Sequence, residues 1–244
     1  MKKQYFLIAI GAITMNTLSA QTAMETRTQE SIANQVVGLS SSGAGSAMLY
    51  SFAKKEDTRG TRYLFENWVN GVVVTSDNRT IQKDNLLFNY DKITQNLYLT
   101  TDRKEVIEID KDKIQSFTLR GDAGNQYSYE KIGLINTTDF FQFIAGASGK
   151  YLLYKCSKTK FQKADYHTDG MVETGKNYDE YVETNDYYVL FPGGMSYKQI
   201  DLKKKAIRDA LSAESAKVNA YFSGHKYDAI DENFLKGLVL VLNQ

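Results

Sequence analysis

The sequence predicts an α+β fold, an antiparallel β-sheet or β-roll followed by C-terminal helices that pack on it. Three observations carry this. Between Gly71 and Ile200, apolar and polar residues alternate with period two in a series of short runs. Most of the runs are joined by only a few residues, too few for parallel crossovers, which need roughly a dozen. Beyond Asp201 the apolar spacing becomes helical.

In chain order, GVVVT (71–75) is the first strand and SDN (76–78) a turn. LLFNY (86–90) and NLYLTT (96–101) flank the polar DKITQ and form a hairpin, and VIEI (106–109) and IQSFTL (114–119) flank DKDK in the same way. Leu97 with Leu99, Ile107 with Ile109, and Phe117 with Leu119 each share one strand face, with polar neighbours on the other. That alternation predicts a sheet with one buried face. QYSYEKIG (126–133), FFQFIA (140–145) and YLLYKCS (151–157) are further strands, with GASGK (146–150) a hairpin turn. Lys158 to Asn185 is polar, rich in Tyr and without clear period, and reads as a long loop with room for one short strand. YYVLF (187–191), Pro192-Gly193-Gly194 and MSYKQI (195–200) form a hairpin, because Pro presets one turn dihedral and Gly supplies the other. Asp201 is placed to cap a helix over Leu202 to Leu211. Ser212 starts a second helix, closed by Gly224, with Val218, Tyr221 and Phe222 on one side. Asp231 opens the last helix, whose apolar face is Phe234, Leu235, Leu238, Val241 and Leu242.

The start of the chain, MKKQYFLIAIGAITMNTLSAQT, has the layout of a secretory signal peptide: a basic opening at Lys2 and Lys3, an uncharged apolar run, and a small residue at Ala20. The apolar run falls short of the roughly 20 residues that cross a bilayer, so no transmembrane segment is expected after cleavage. The predicted organisation is a signal peptide over 1–20, a partly flexible segment over 21–62, a β-rich body over 63–200 and a helical segment of the same domain over 201–244. Within the second of these, the charge-free stretch from Ser31 to Ala53 reads either as a short helix around Gln35 to Leu39 with a Gly/Ser connector, or as a small-residue segment packed on the sheet. The expected location is the periplasm, the cell envelope or the extracellular space.

Charge and cysteine content narrow the function. Without residues 1–20 the chain carries 28 basic and 29 acidic side chains, a balance unsuited to displacing counterions from nucleic acid. Cys156 is the single cysteine, so the fold rests on packing and not on internal disulfides; alternation sets it beside Leu152 and Tyr154 as a small buried hydrophobe. His167 and His225 each lack a second histidine at metal-ligand spacing, and DKDK lacks the alternating carboxylates and terminal Glu of a calcium loop. No nucleophile elbow or Walker loop occurs. GASGK is followed by a strand pattern, which lacks the helix N-terminus that makes such loops bind phosphate. No catalytic residue, cofactor or metal is assigned.

The remaining candidate is a binding surface in the polar stretch, made by Tyr166, Tyr178 and Tyr181 with Glu173 and Asp179. Aromatic rings beside carboxylates can form a sugar platform, and YDEYVETNDYY (178–188) reads equally as a polar strand edge with Tyr packed over a core; the expected partner is an envelope protein or a small ligand. The alternative is a hydrolase of carbohydrate or peptide using the acids Glu173, Asp179, Glu180 and Glu183 of the same stretch.

Several segments, the strand opened by Gly71, the hairpin at 87–99, GKYLLYK at 149–155, YYV at 187–189 and the lysines at 203–205, resemble an uncharacterised group of small exported proteins of Bacteroidetes-type bacteria. The resemblance implies export and this architecture. It implies no activity, since none is attached to the group.

Overall fold

The computed structural model describes Leu39, residues 57–121 and residues 124–244, and it has the α+β architecture. The predicted signal peptide and most of the charge-free stretch therefore lie outside the described residues. The strands are β1 (Thr58–Arg59), β2 (Val69–Thr75), β3 (Thr80–Ile81), β4 (Leu87–Asp91), β5 (Asn96–Thr100), β6 (Ile107–Glu108) and β7 (Ile114–Arg120). They continue as β8 (Gln126–Ile132), β9 (Asn136–Gly146), β10 (Leu152–Gln162), β11 (His167–Asp169), β12 (Val172–Thr174), β13 (Asp179–Leu190) and β14 (Tyr197–Ile200). Three helices follow, α1 (Lys204–Ala210), α2 (Ser215–Gly224) and α3 (Glu232–Leu242).

One sheet takes the order β1-β13-β10-β9-β8-β7-β2-β4-β5-β6, with β14 added on β13 and β3 on β2, while β11 and β12 form a separate hairpin. Every pairing is antiparallel except β1 with β13. β2 begins two residues before Gly71, and at Gly71 the neighbouring strands approach closely: a Cβ would lie 2.8 Å from Leu119 Cδ2 and 2.9 Å from the Thr118 carbonyl oxygen.

The sheet curls until the tip of the β4–β5 hairpin meets β10. The Thr159 amide donates to the Lys92 carbonyl at 3.1 Å, the Gln95 side-chain amide donates to the Ser157 carbonyl at 2.8 Å, and the Lys92 ammonium pairs with Glu183. The interior of this roll is aromatic. Phe117 stacks on Tyr129 with centroids 4.9 Å apart, Tyr90 lies 5.0 Å from Tyr129, and Phe140 meets Phe117 edge-on at 5.0 Å. Leu39 is buried in the same interior, and its carbonyl accepts the Asp110 amide at 2.8 Å.

Farther along the sheet the same face carries Ala145, Tyr151, Leu153, Tyr187, Val189 and Ile200, and the helices cover it. Helix α3 begins where Asp231 accepts the Phe234 amide at 2.9 Å, and it buries Phe234, Leu235, Leu238, Val239 and Leu242. Each such side chain is worth about 1.5–3 kcal/mol in burial. Polar ties fix its two ends. Lys155 pairs with Glu232 at 2.8 Å, and Asn243 exchanges two 2.9 Å hydrogen bonds with the Tyr151 backbone. Among the described residues, no helix is long and apolar enough to cross a membrane.

The structure differs from the sequence expectations in five places. The predicted hairpin of 106–109 with 114–119 does not form, since β6 pairs with β5 whereas β7 lies between β2 and β8. The predicted long loop from Lys158 to Asn185 is mostly strand: β10 and β13 pair over eleven positions, from Leu152↔Leu190 to Gln162↔Glu180. Period two is invisible there because the outer part of the ribbon buries neither face. Strands β4 and β5 are buried on both faces, since Tyr63, Trp68 and Val106 pack over Tyr98 on the side expected to meet solvent. Asp201 does not cap α1; the N-cap position is Lys203, whose amide donates to the Asp201 carbonyl at 2.7 Å. Val239 is buried in α3, whereas Val241 is half-buried.

Candidate functional site

Beyond the roll, β10 and β13 leave the helical layer and run on as an arm, edged by β1 at Asp179 and Glu180 and capped by the β11–β12 hairpin. Every residue from 160 to 177 is exposed, including Phe161, Tyr166, Met171 and Val172. Its own hydrogen bonds shape the arm. Asp165 and Tyr166 donate their amides to the Lys176 carbonyl at 3.0 Å each, and the Lys176 amide donates to the Asp165 carboxylate at 2.7 Å. His167 Nδ1 lies 2.9 Å from the Asp165 carbonyl and donates to it, and Nε2 shares a 2.9 Å hydrogen bond with the Thr174 hydroxyl. Gly175 has φ +83°, and a Cβ there would lie 2.4 Å from the Asp165 carbonyl oxygen, so glycine is required. The tip turn is Gly170-Met171, between the paired Asp169 and Val172, with φ +64° at the glycine and Met171 fully exposed.

The five residues predicted as a binding surface all fall on this arm, spread over its length. Tyr166 stands exposed beside the hairpin and Glu173 is exposed on β12. Tyr178 lies under the Arg59 guanidinium, 3.6 Å from its ring centroid, with the Lys176 ammonium at 5.7 Å. Asp179 accepts the Ala164 amide at 2.9 Å, and Tyr181 packs against Phe161 at 5.0 Å. An open hollow of about 510 Å³ at the arm's base is lined by Gln162, Lys163, Asp165, Lys176, Tyr178 and Glu180. The sequence reading missed Arg59, Phe161, Met171 and Val172. Gly170, at the first position of the two-residue turn, is a recognised hairpin signal and was the available one.

The three acids of β13 are paired or set apart. Glu180 pairs with Lys176 and Glu183 with Lys92. Alternation along β13 sends Glu180 to the face opposite Glu183. Asp179 and Glu183 share a face but are four positions apart on one strand, about 13 Å, whereas carboxyl pairs that cleave glycosides sit roughly 5–9.5 Å apart. Burial works against the charged form of Glu183, and the hydrogen bond and charge of Lys92 outweigh it, leaving its titration below the ordinary carboxylate value. A general acid needs the opposite shift.

Elsewhere, burial pushes the Cys156 thiol up to about 11, as befits an inert core residue. His225 holds Asp228 at 2.8 Å and stacks on Tyr221 at 4.1 Å. Among the described residues, no group of three or more His, Cys, Asp or Glu side chains is arranged to hold a metal ion. No protein-family model, curated protein or solved structure matches the chain.

Proposed function

We propose that the protein is an exported, non-enzymatic binding or envelope-associated protein whose β10–β13 arm docks into a partner protein. The observation that carries the reading is the exposed run from 160 to 177, held in a defined shape while burying almost none of its own apolar side chains. Ordering a residue's backbone costs about 1–2 kcal/mol. An arm that presents Phe161, Met171 and Val172 to water is better accounted for by a partner's apolar recess than by the fold's own stability. Lys163, Lys176, Asp169 and Glu173 give the contact a mixed-charge rim. Export is supported by the Lys2–Ala20 pattern, and the resemblance to small exported proteins of Bacteroidetes-type bacteria points the same way. The hydrolase alternative draws no support from acids that are paired or separated along one strand.

The test is an arm-shortened variant in which residues 163–179 are replaced by a short Gly-Asn-Gly turn joining β10 to β13. The variant is expected to keep a cooperative melting transition within a few degrees of the wild type and to lose co-migration with its partner on native fractionation of host envelope extracts. Unchanged co-migration contradicts the reading.

A further inference from the structure

The sheet has a second face, opposite the helices, and part of it is hollow. Helix residues pack with Leu153, Tyr187 and Val189, whereas Leu152, Tyr154, Cys156, Tyr188 and Leu190, which alternate with them, form a cluster that contains no helix residue. Next to that cluster lies a pocket of about 500 Å³ across β7, β8, β9 and β10. This volume is in the range of small-ligand sites.

Each wall of the pocket follows from strand register. Thr118 is opposite Ser128, and Ser116 is opposite Glu130, so one wall is a patch of hydroxyls with a carboxylate at its end. Thr118 Oγ1 and Ser128 Oγ are 3.0 Å apart and share a hydrogen bond. Phe143 is opposite Tyr154, and the two rings meet edge-on at 5.7 Å. Phe143 is 37 % exposed, and the Tyr154 hydroxyl donates to Glu130 at 2.5 Å. The remaining wall is the turn Gly146-Ala147-Ser148 with Leu152 beneath it. Gly146 has φ +134°, and a Cβ would lie 2.4 Å from the Tyr151 carbonyl oxygen, so the backbone there admits only glycine.

These features select the ligand class. Among the described residues, no lining side chain is cationic, which disfavours phosphorylated or carboxylated ligands. The polar groups are hydroxyls and one carboxylate, which match a ligand bearing several O–H donors. The exposed aromatic ring offers a flat apolar surface to a ligand with an apolar C–H face. We propose that the pocket bounded by Ser128, Glu130, Phe143, Ser148 and Tyr154 is a binding site for a neutral saccharide, with Phe143 as the stacking platform and Glu130 and the hydroxyls as hydrogen-bond partners. The site is separate from the arm: it uses the Leu152–Tyr154 end of β10, and the arm starts at the far end of that strand. Neither proposal depends on the other.

The experiment is a two-dimensional amide NMR titration of the chain from Gln21 to Gln244 with cellobiose, maltose, lactose and N,N′-diacetylchitobiose. Glucose 6-phosphate serves as the anionic control and choline as the cationic one. The expected result is saturable shifts for at least one neutral disaccharide, centred on Thr118, Ser128, Phe143 and Ser148, with neither control competing. Phe143→Ala is expected to weaken that binding at least tenfold and Phe143→Tyr to retain it, both with unchanged spectra elsewhere. No saturable shift with any neutral sugar overturns the proposal, as do shifts centred elsewhere, saturation by a control alone, or equal binding by Phe143→Ala.

Discussion

Lys92 and Glu183 form an ion pair across 91 positions of sequence, and the backbone carbonyl of Lys92 also accepts the Thr159 amide, so one hairpin-tip residue closes the roll onto β10 and β13. The two partners are unequal. The Lys92 side chain is 7 % exposed and that of Glu183 is 38 % exposed. Glu183→Ala strands a buried ammonium and is expected to cost about 1–3 kcal/mol. Lys92→Met leaves a carboxylate that water can reach and should cost less. Urea denaturation of both variants reads the difference, and equal losses would show that Lys92 is not the desolvated partner.

The same pair sets an acid dependence. The folded state holds Glu183 below its ordinary value of 4.5, so its contribution is complete above that pH and is lost as pH falls through the folded value. Glu183→Gln should flatten the stability profile below pH 4.5 relative to wild type and leave its shape unchanged between pH 6 and 8. Chemical denaturation across that range provides the comparison.

Asp91 is fully buried, accepts the Ile93 amide at 2.8 Å and pairs with Arg62, whose Nε has no hydrogen-bond partner among the described residues. Removing the carboxylate leaves both the turn and the guanidinium short of an acceptor. Asp91→Ala is expected to lose about 3 kcal/mol or more, measured by denaturant midpoint at constant slope.

Cys156 should be unreactive in the folded protein. With the thiol held up at about 11 and 1 % exposed, it should resist a disulfide reagent such as DTNB at pH 8 and react within seconds in 6 M guanidinium. Prompt labelling of the native protein would contradict its place in the core.

Gly175→Val tests whether the arm is a separately ordered element. The φ of +83° and the close Asp165 carbonyl exclude a side chain, so the variant should lose amide protection over residues 164–176 and keep it in β7, β8 and α3. Global loss of protection would mean that the arm supports the core.

The sequence disclosed the fold where burial was one-sided. In β7, Phe117 and Leu119 are buried and alternate with less buried polar neighbours, and the sheet follows from that pattern. At Asn89 and Asp91 the reading failed, because polar side chains buried by hydrogen bonds leave no trace in an apolar period. From 158 to 185 it failed for the opposite reason: an arm solvated on both faces has no apolar period, and only the Gly170-Met171 turn betrays it. The tyrosines and acids of the expected binding surface fall on one arm, and the contacts each makes are ones that spacing does not encode. Arg59 over Tyr178 and Lys92 on Glu183 both join segments distant in sequence.

The most direct test of the arm as a docking element is site-specific photo-crosslinking in the host, with a photoreactive residue at Met171 and, as a control, at Tyr227, which is 92 % exposed on the helical side. The account predicts a discrete crosslinked species of defined mass from position 171, absent from position 227 and lost when Phe161 and Val172 are both changed to Glu. No discrete product at 171, or the same product from both positions, would contradict it.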